Sequence, residues 1–166
     1  MKNHNNKFFI IDGPESIQGS DEWKEFRKGK IGSSDIAAIL GMSPWETRLE
    51  FWNRRILDKD VPVNEAMKRG SLLESKARNI LNKEMEMKGK NYQPSVIQNY
   101  DNPLIIASLD GLYIDDQSQV HIVEIKCPGK TAHEVAMRGM IPAYYLPQLC
   151  HQCMVSGAAS CSYVSW

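Results

Sequence analysis

The sequence predicts an α/β domain in which a small mixed sheet is flanked by helices. Segments with helical spacing and capping residues dominate the N-terminal half of the chain. Two segments rich in β-branched residues follow, and further helices and a terminal strand complete the chain. With 166 residues, the chain is long enough to bury about two-thirds of its unfolded surface around one core. We therefore expect a single domain over residues 1–166, in which residues 1–19 form an N-terminal extension.

Two short helices are predicted near the start of the chain. The segment "GSDEWKEFRKG" has Ser20 as its N-cap and Gly29 at its end. The segment "SSDIAAILG" is capped by Ser33 or Ser34 and is closed by Gly41. Each helix therefore begins at a side chain that accepts hydrogen bonds from free main-chain N–H groups.

Two longer helices are predicted next. In "SPWETRLEFWNRRIL", Ser43 is the expected N-cap, Pro44 takes the first helical position, and Glu46 completes a capping box. The following helix runs from about Asn64 to Met87. Its apolar face comprises Leu73, Ala77, Ile80 and Leu81.

A β-hairpin is predicted from two strands at about 104–113 and 120–127. If the polar segment "DDQSQ" between them is a five-residue loop, Asp110 lies directly opposite Glu124. Because side chains alternate along a strand, Glu124 and Lys126 share one face. Three ionisable groups therefore converge on one small patch.

Two helices and a strand are predicted after the hairpin. The helices are "TAHEVAMRG" and "PQLCHQCMVSG", and Pro147 opens the second. The terminal "CSYVSW" has the pattern of an apolar strand, and its abrupt end leads us to expect a domain shortened at its C-terminus. Cys150 and Cys153 have the spacing of a metal-ligand pair, but the sequence lacks a second such pair, so we expect small buried residues instead.

The hairpin patch has the chemistry of a magnesium site. Two adjacent carboxylates repel each other, and burying them costs several kcal/mol unless a cation neutralises them. Asp110, Glu124 and the main-chain carbonyl of Ile125 form an all-oxygen set that suits Mg²⁺. Lys126 is then placed to orient or deprotonate an attacking water and to stabilise charge on a scissile phosphate. The alternative is a simple salt bridge between Lys126 and one of the carboxylates.

A fourth ionisable residue, Glu74, is predicted to point along the apolar side of its helix, because it aligns with Gly70, Ala77 and Leu81 on a helical wheel. A carboxylate in that place requires a partner. We expect Glu74 to hold a second metal ion or a water molecule. The alternative is an ion pair with Arg78, four residues further along the helix.

The composition excludes a membrane protein. No apolar stretch approaches the roughly 18 residues of a membrane span, and the start "MKNHNNK" lacks the apolar segment of a signal peptide. We therefore expect a cytoplasmic protein. Since the chain has 20 basic and 20 acidic residues, any contact with nucleic acid depends on local clusters such as "KEFRKGK".

Four ordered blocks carry a family resemblance: "FRKGKIGSSDIAAILGMSPW", "RGSLLESKAR", "ASLDGL" and "VEIKCP". In this order and at these intervals they resemble the phage lambda exonuclease and YqaJ-like viral recombinase nucleases, which have a restriction-endonuclease-like PD-(D/E)xK core. The likeness covers nearly all of residues 23–157. It implies a bacterial or phage-encoded deoxyribonuclease that digests duplex DNA in the 5′→3′ direction, with Mg²⁺ as its cofactor and Mn²⁺ as a substitute.

The resemblance also implies roles for individual residues. Asp110 and Glu124 match the metal carboxylates, Lys126 matches the catalytic lysine, and Glu74 matches the helix glutamate. Arg27 and Ser34 match the residues that hold the 5′-terminal phosphate. This assignment of Arg27 and Ser34 agrees with the sequence. A predicted helix N-terminus at Ser34 favours an anion, and the guanidinium of Arg27 can add a bidentate hydrogen bond.

One departure from the family concerns the helix after the ExK strand, where the family carries two glutamines as QxQ. Here "PQLCHQCM" places Gln148 at the first position and Cys150 at the second. Which glutamine supports the metal-site water is therefore open, and we expect reduced activity. Ser108 and His151 are further candidate polar supports.

Three functions stay open from the sequence. The resemblance implies an exonuclease that leaves 3′ single strands for an annealing protein and that forms rings of three around DNA. The alternatives are a structure-specific or restriction-type endonuclease on the same core, and a catalytically weak protein that binds DNA ends. The aromatic residues Trp45, Phe51 and Trp52 either stack on DNA or, as we expect, pack in the core.

Overall fold

The computed structural model of this chain describes residues 7–59 and 64–166. Its strands form one sheet in the order β1-β2-β3-β4-β5. They are β1 (Phe8–Ile11), β2 (Gln93–Asn99), β3 (Ile106–Ile114), β4 (Val120–Lys126) and β5 (Ser160–Ser165). The first four strands pair antiparallel with their neighbours, and β5 runs parallel to β4. The predicted α/β class with a small mixed sheet is therefore confirmed.

Helices cover both faces of this sheet. They are α1 (Asp21–Arg27), α2 (Ile36–Ile39), α3 (Arg48–Ile56), α4 (Glu65–Glu86), α5 (Lys130–Met137) and α6 (Leu146–Ser156). Val155 of α6 packs in one buried cluster with Ile122 of β4. Ala77 of α4 packs in a second buried cluster with Val123 of β4. Because neighbouring residues of β4 point to opposite sides of the sheet, α6 and α4 lie on opposite faces.

The β3–β4 hairpin has the register that the sequence predicts. Gly111 pairs with Val123, and Leu112 pairs with Ile122. Extending this register by one step places Asp110 opposite Glu124, where the paired ladder ends. The two carboxylates thus lie at the point where the paired β3–β4 ladder ends.

A β-bulge in β3 lies beside Asp110. Gln93 of β2 pairs with Leu112, whereas Ser95 pairs with Leu109, so a step of two residues on β2 matches three on β3. The extra residue falls at Asp110 and Gly111. Bulges redirect a side chain and are frequent next to active sites, and this one changes the direction of β3 at the predicted site.

We expect Gly111→Ala to destabilise the protein by about 1–3 kcal/mol. A Cβ atom added at Gly111 would lie 2.7 Å from Val123 Cγ1 and 2.9 Å from Tyr92 Cβ, both in a packed core. Urea unfolding measures the loss. Gly70→Ala is the matched control: its added Cβ meets nothing within 4 Å in the described structure, and alanine favours a helix interior, so its free energy of unfolding should rise. An unchanged stability of Gly111→Ala would contradict this packing.

The helix α3 begins later than predicted. We expect Ser43 and Glu46 to form its capping box, but the box is made by Thr47 as N-cap and Glu50. The hydroxyl of Ser43 instead accepts hydrogen bonds from two following main-chain N–H groups and forms a separate turn. The carboxylate of Glu46 pairs with Arg54 at 2.8 Å, so it does not reach back to Ser43. That prediction of the helix start is wrong because a tertiary contact holds the glutamate.

The strands β1 and β2 are missing from the sequence prediction. Phe8 of β1 is 4% exposed and belongs to the same core cluster as Val155. β1 pairs with β2 along its whole length. Part of the segment 1–19, which we expect to be an extension, is therefore an edge strand of the sheet. Among the residues described, no helix is both long and apolar enough to cross a membrane.

Candidate active site

All eight residues that the sequence predicts for the site line one cleft of about 160 Å³. They are Arg27, Ser34, Glu74, Asp110, Glu124, Ile125, Lys126 and Gln148. They come from α1, the turn before α2, α4, β3, β4 and α6. The fold thus brings together side chains that are nearly the whole chain apart in sequence.

Glu124 is a buried carboxylate with three hydrogen-bond donors. It is 2% exposed. Its Oε1 accepts from Gln148 Nε2 and from Lys126 Nζ, each at 2.5 Å, and its Oε2 accepts from Gln152 Nε2 at 2.6 Å. A buried carboxylate is tolerated only when it is paired and hydrogen-bonded. These donors therefore fix the orientation of Glu124, and one lone pair of Oε2 is left for a further partner.

Asp110 is held at the mouth of the separating strands. Its Oδ2 accepts a hydrogen bond of 2.7 Å from the main-chain N–H of Ile125, and its Oδ1 lies 3.9 Å from Arg78 Nη2. Burial and the charge of Glu124 raise the pKa of Asp110 to about 7, although the Ile125 hydrogen bond opposes the shift. Two like charges are therefore forced together here.

Lys126 is the cation next to this pair. Its ammonium bonds to Glu124 and lies 5.3 Å from the centre of the Tyr145 ring. The salt bridge considered as an alternative from the sequence is therefore present. The side chain stays partly exposed and lines the cleft, so its charge also faces a ligand bound there.

Glu74 reaches the cleft from α4 and is paired with Arg78 at 2.5 Å. This is the ion pair that the sequence offers as the alternative to a metal-binding or water-holding role. The pair spans one helical turn, and Arg78 also approaches Asp110. The guanidinium therefore lies between two carboxylates of the cleft.

Arg27 and Ser34 meet on the opposite wall. Arg27 Nη2 donates to Ser34 Oγ at 3.1 Å and to Asp35 Oδ1 at 2.8 Å. Ser34 lies in a 3₁₀ turn (Ser33–Asp35) before the four-residue α2, so the expected N-cap of a regular helix is wrong. The guanidinium, and not a helix dipole, is the main positive group at this wall. The sequence analysis did not identify Asp35, the buried carboxylate that orients Arg27.

Gln152 is the other residue that the sequence analysis missed. It is fully buried, and its Nε2 donates to Glu124 and to the main-chain oxygen of Ser108. Gln148 and Gln152 lie one helical turn apart on α6, whereas Cys150 between them is exposed. The two glutamines that hold Glu124 are therefore four residues apart, and this i, i+4 spacing is visible in the sequence. Cys150, which departs from the family pattern, takes no part in this contact.

His151 and the remaining candidates have structural partners. His151 is buried, and its Nδ1 lies 2.9 Å from Ser33 Oγ. Burial lowers the pKa of His151, and the charge of Asp35 opposes this shift.

Cys153 packs against the core cluster that contains Val155, as expected, but the prediction that Cys150 is buried is wrong. Of the three aromatic residues expected in the core, only Phe51 is buried; Trp45 and Trp52 are 66% and 62% exposed.

The cleft residues fit one hard cation. Within residues 7–59 and 64–166, no three His, Cys, Asp or Glu side chains lie close enough together to hold a metal ion. Two carboxylates, of Asp110 and Glu124, line the cleft beside Ile125, whose main-chain carbonyl is the predicted third ligand. Such oxygen ligands suit Mg²⁺, which keeps several of its waters. Burial and then the like charge of Glu124 raise the pKa of Asp110, and a divalent cation would relieve the repulsion between the two carboxylates.

The sequence of this chain is similar to a known protein family and to a curated protein. The sequence profile described as YqaJ-like viral recombinase domain matches residues 22–159. The uncharacterized protein YqaJ of Bacillus subtilis (strain 168) is 30% identical over 147 residues, which are 86% of this chain and 44% of that protein. The chain thus spans less than half the length of this curated relative.

Two solved structures share the fold. The crystal structure of an alkaline exonuclease, LHK-Exo from Laribacter hongkongensis, matches with a TM-score of 0.68 and 28% identity. The match covers 89% of this chain and 74% of that chain. The complex of LHK-Exo with dAMP matches with the same TM-score, identity and coverage.

Proposed function

Because this chain belongs to the YqaJ-like viral recombinase family, we propose that it is an exonuclease that digests linear double-stranded DNA from its 5′ ends and leaves 3′ single strands. A nuclease role is supported by the family and by the similarity to an alkaline exonuclease. The polarity and the duplex substrate are the parts that we propose from the family resemblance.

One observation carries this proposal: an arginine–serine pair and a carboxylate pair line the same small cleft. Arg27 and Ser34 offer a guanidinium and a hydroxyl on one wall, and Asp110 and Glu124 lie on the other. A terminal phosphate bound at the first wall brings the next phosphodiester of the strand toward the second. The product would be a mononucleotide, the class to which the dAMP bound by LHK-Exo belongs.

Asp110, Glu124 and the carbonyl of Ile125 are the residues that we propose to hold Mg²⁺. The chemistry supplied by the bound ion is activation of a water molecule and stabilisation of negative charge on the scissile phosphate. Gln148 and Gln152 hold the Glu124 carboxylate in one orientation through hydrogen bonds of 2.5 and 2.6 Å. Glu74 holds Arg78 in place beside Asp110.

Lys126 is the residue that we propose to act on the substrate. Its ammonium already lies in a negative environment beside Glu124, and the partly exposed side chain can turn toward the cleft. There it would donate hydrogen bonds to a phosphate oxygen and orient the attacking water. The sequence departure at Cys150 does not weaken this proposal, because Gln152 supplies the second amide.

Partners beyond DNA follow from the same proposal. An exonuclease that leaves 3′ single strands would supply a single-strand annealing protein, and a chain with zero net charge would hold DNA better in a closed ring of three copies than alone. Light scattering of the purified chain tests the ring: a mass of one 18.9 kDa copy would rule it out without affecting the cleft chemistry.

The function is tested by nucleotide release from three DNA substrates in Mg²⁺. We expect mononucleotides from linear duplexes with a 5′-phosphate, slower release from linear duplexes with a 5′-hydroxyl, and no cleavage of closed circular duplexes. A chelator should stop the reaction, and Mn²⁺ should restore it. Nicking of the circle would favour the endonuclease, and end binding without release would favour the end-binding protein.

A further inference from the structure

The residues that present Arg27 and Ser34 form a short, tightly bonded loop over residues 32–35. The carboxylate of Asp35 accepts from the main-chain N–H of Gly32 at 2.9 Å and from Arg27 at 2.8 Å. A Cβ atom at Gly32 would lie 3.2 Å from Arg27 Nη2, so the backbone of the loop is packed against the guanidinium. The position of the loop therefore determines where both phosphate-binding groups lie.

The side chain of His151, which lies outside the loop, contacts the loop residue Ser33. The hydroxyl of Ser33 lies 2.9 Å from His151 Nδ1 of α6, and these residues are 3% and 6% exposed. At this depth a lost hydrogen bond is not readily replaced by one to bulk water, so the hydroxyl would remain unsatisfied or the loop would move. Ser33 lines the cleft, whereas His151 lies behind the wall that Ser33 forms.

The same helical turn reaches the other wall. Gln152, the residue after His151, donates to Glu124 at 2.6 Å. Two neighbouring residues of α6 thus bond to the two parts of the cleft lining, through Ser33 and through Glu124. A shift of either contact would change the position of the proposed phosphate site relative to the carboxylates.

We infer that His151 is a positioning residue for recognition of the 5′-terminal phosphate, acting through Ser33 on the loop that carries Ser34. This inference rests on the proposed function, because it assigns a support to the phosphate wall of the same cleft. The inference adds to the proposed function a buried residue that touches neither DNA nor metal and that sets the preference for a phosphorylated end.

The test uses His151→Phe, Ser33→Ala and the double variant. Phenylalanine keeps the ring and removes the hydrogen bond, and Ser33→Ala removes it from the other side. His121→Phe is the control, because His121 Nδ1 pairs with Ser160 Oγ at 2.8 Å at the end of β4 away from the cleft. This substitution also removes the contact of His121 Nε2 with Asp115 at 3.1 Å. Each variant is assayed for kcat and KM on duplexes with a 5′-phosphate and a 5′-hydroxyl, and for binding of both duplexes by fluorescence anisotropy without divalent ions.

We expect KM for the phosphorylated duplex to rise about fivefold in each single variant, the size of one net hydrogen bond of about 1 kcal/mol. KM for the hydroxyl duplex and both kcat values should change less than twofold, and the double variant should show no further loss. The binding assay should show the same loss of preference. His121→Phe should behave as the wild type.

Other outcomes overturn the inference in distinguishable ways. Equal losses on both duplexes, or wild-type preference in both single variants, would make His151 a structural residue only and leave the proposed exonuclease intact. A wild-type protein that binds phosphorylated ends preferentially but releases no nucleotide would overturn the proposed function and not this inference. A wild type without any end preference overturns the inference along with the end recognition. If His151→Phe does not fold, Ser33→Ala decides alone.

Discussion

Lys126→Ala is expected to reduce nucleotide release from linear duplex DNA by about 10²- to 10⁴-fold. The side chain removed is the cation next to the buried Glu124, at 2.5 Å, and it faces the cleft. In the proposed mechanism its charge would stabilise a phosphate that becomes more negative during hydrolysis, and neither glutamine could supply that charge. The measurement is the initial rate of mononucleotide release at saturating Mg²⁺.

Two companion variants separate chemistry from folding. Lys130→Ala removes a lysine whose side chain is 91% exposed and should retain full activity. Lys126→Arg keeps a positive charge beside Glu124, so it should fold normally, but the larger and planar group should not restore the rate. Release by Lys126→Ala at the wild-type rate would remove Lys126 from the mechanism.

Gln152→Leu is expected to lower the free energy of unfolding by about 1.5–3 kcal/mol, the range for a hydrogen bond to a charged group. Leucine has nearly the same volume as glutamine but leaves Glu124 Oε2 without the donor at 2.6 Å. The carboxylate then stays buried with a less fixed orientation, so nucleotide release should fall too. Urea unfolding and the nuclease assay measure the two effects.

The control for Gln152 lies two residues away on the same helix. Cys150→Gln restores the second glutamine of the family pattern, and since Cys150 is exposed, we expect neither stability nor activity to change. A large gain in activity for Cys150→Gln, or an unaffected Gln152→Leu, would mean that the second supporting amide belongs at position 150 and that the contact of Gln152 with Glu124 is unimportant.

The parts of the fold that could be predicted from the sequence are those that neighbouring residues determine. The hairpin register follows from a five-residue loop, and the cap at Ser20 follows from local hydrogen bonds. The start of α4 near Asn64 also agrees with the prediction. The start of α3 could not be predicted, because two consecutive capping-box patterns satisfy the same local rule. Arg54, on the next turns of the helix, binds Glu46 and leaves Thr47 to begin it.

The site was predictable to the extent that its residues lie on predicted elements. Asp110 and Glu124 could be placed together because one hairpin carries both. Gln152 and Asp35 could not be assigned, since their roles depend on how α6 and the loop before α2 pack against the sheet. The exposure of Trp45 and Trp52 is a similar case: helical spacing alone does not show which face of α3 is covered.

The pairing of β1 with β2 has a consequence for how this protein folds. Phe8 is aligned with Asn99, whereas the partners in the β2–β3 and β3–β4 ladders are close in sequence. The entropy lost on closing a loop grows with its length, so the hairpins can form early and the first strand must join late. Until it does, the outer backbone groups of β2 are open to strands of other chains, and newly made protein is most prone to aggregate in that interval.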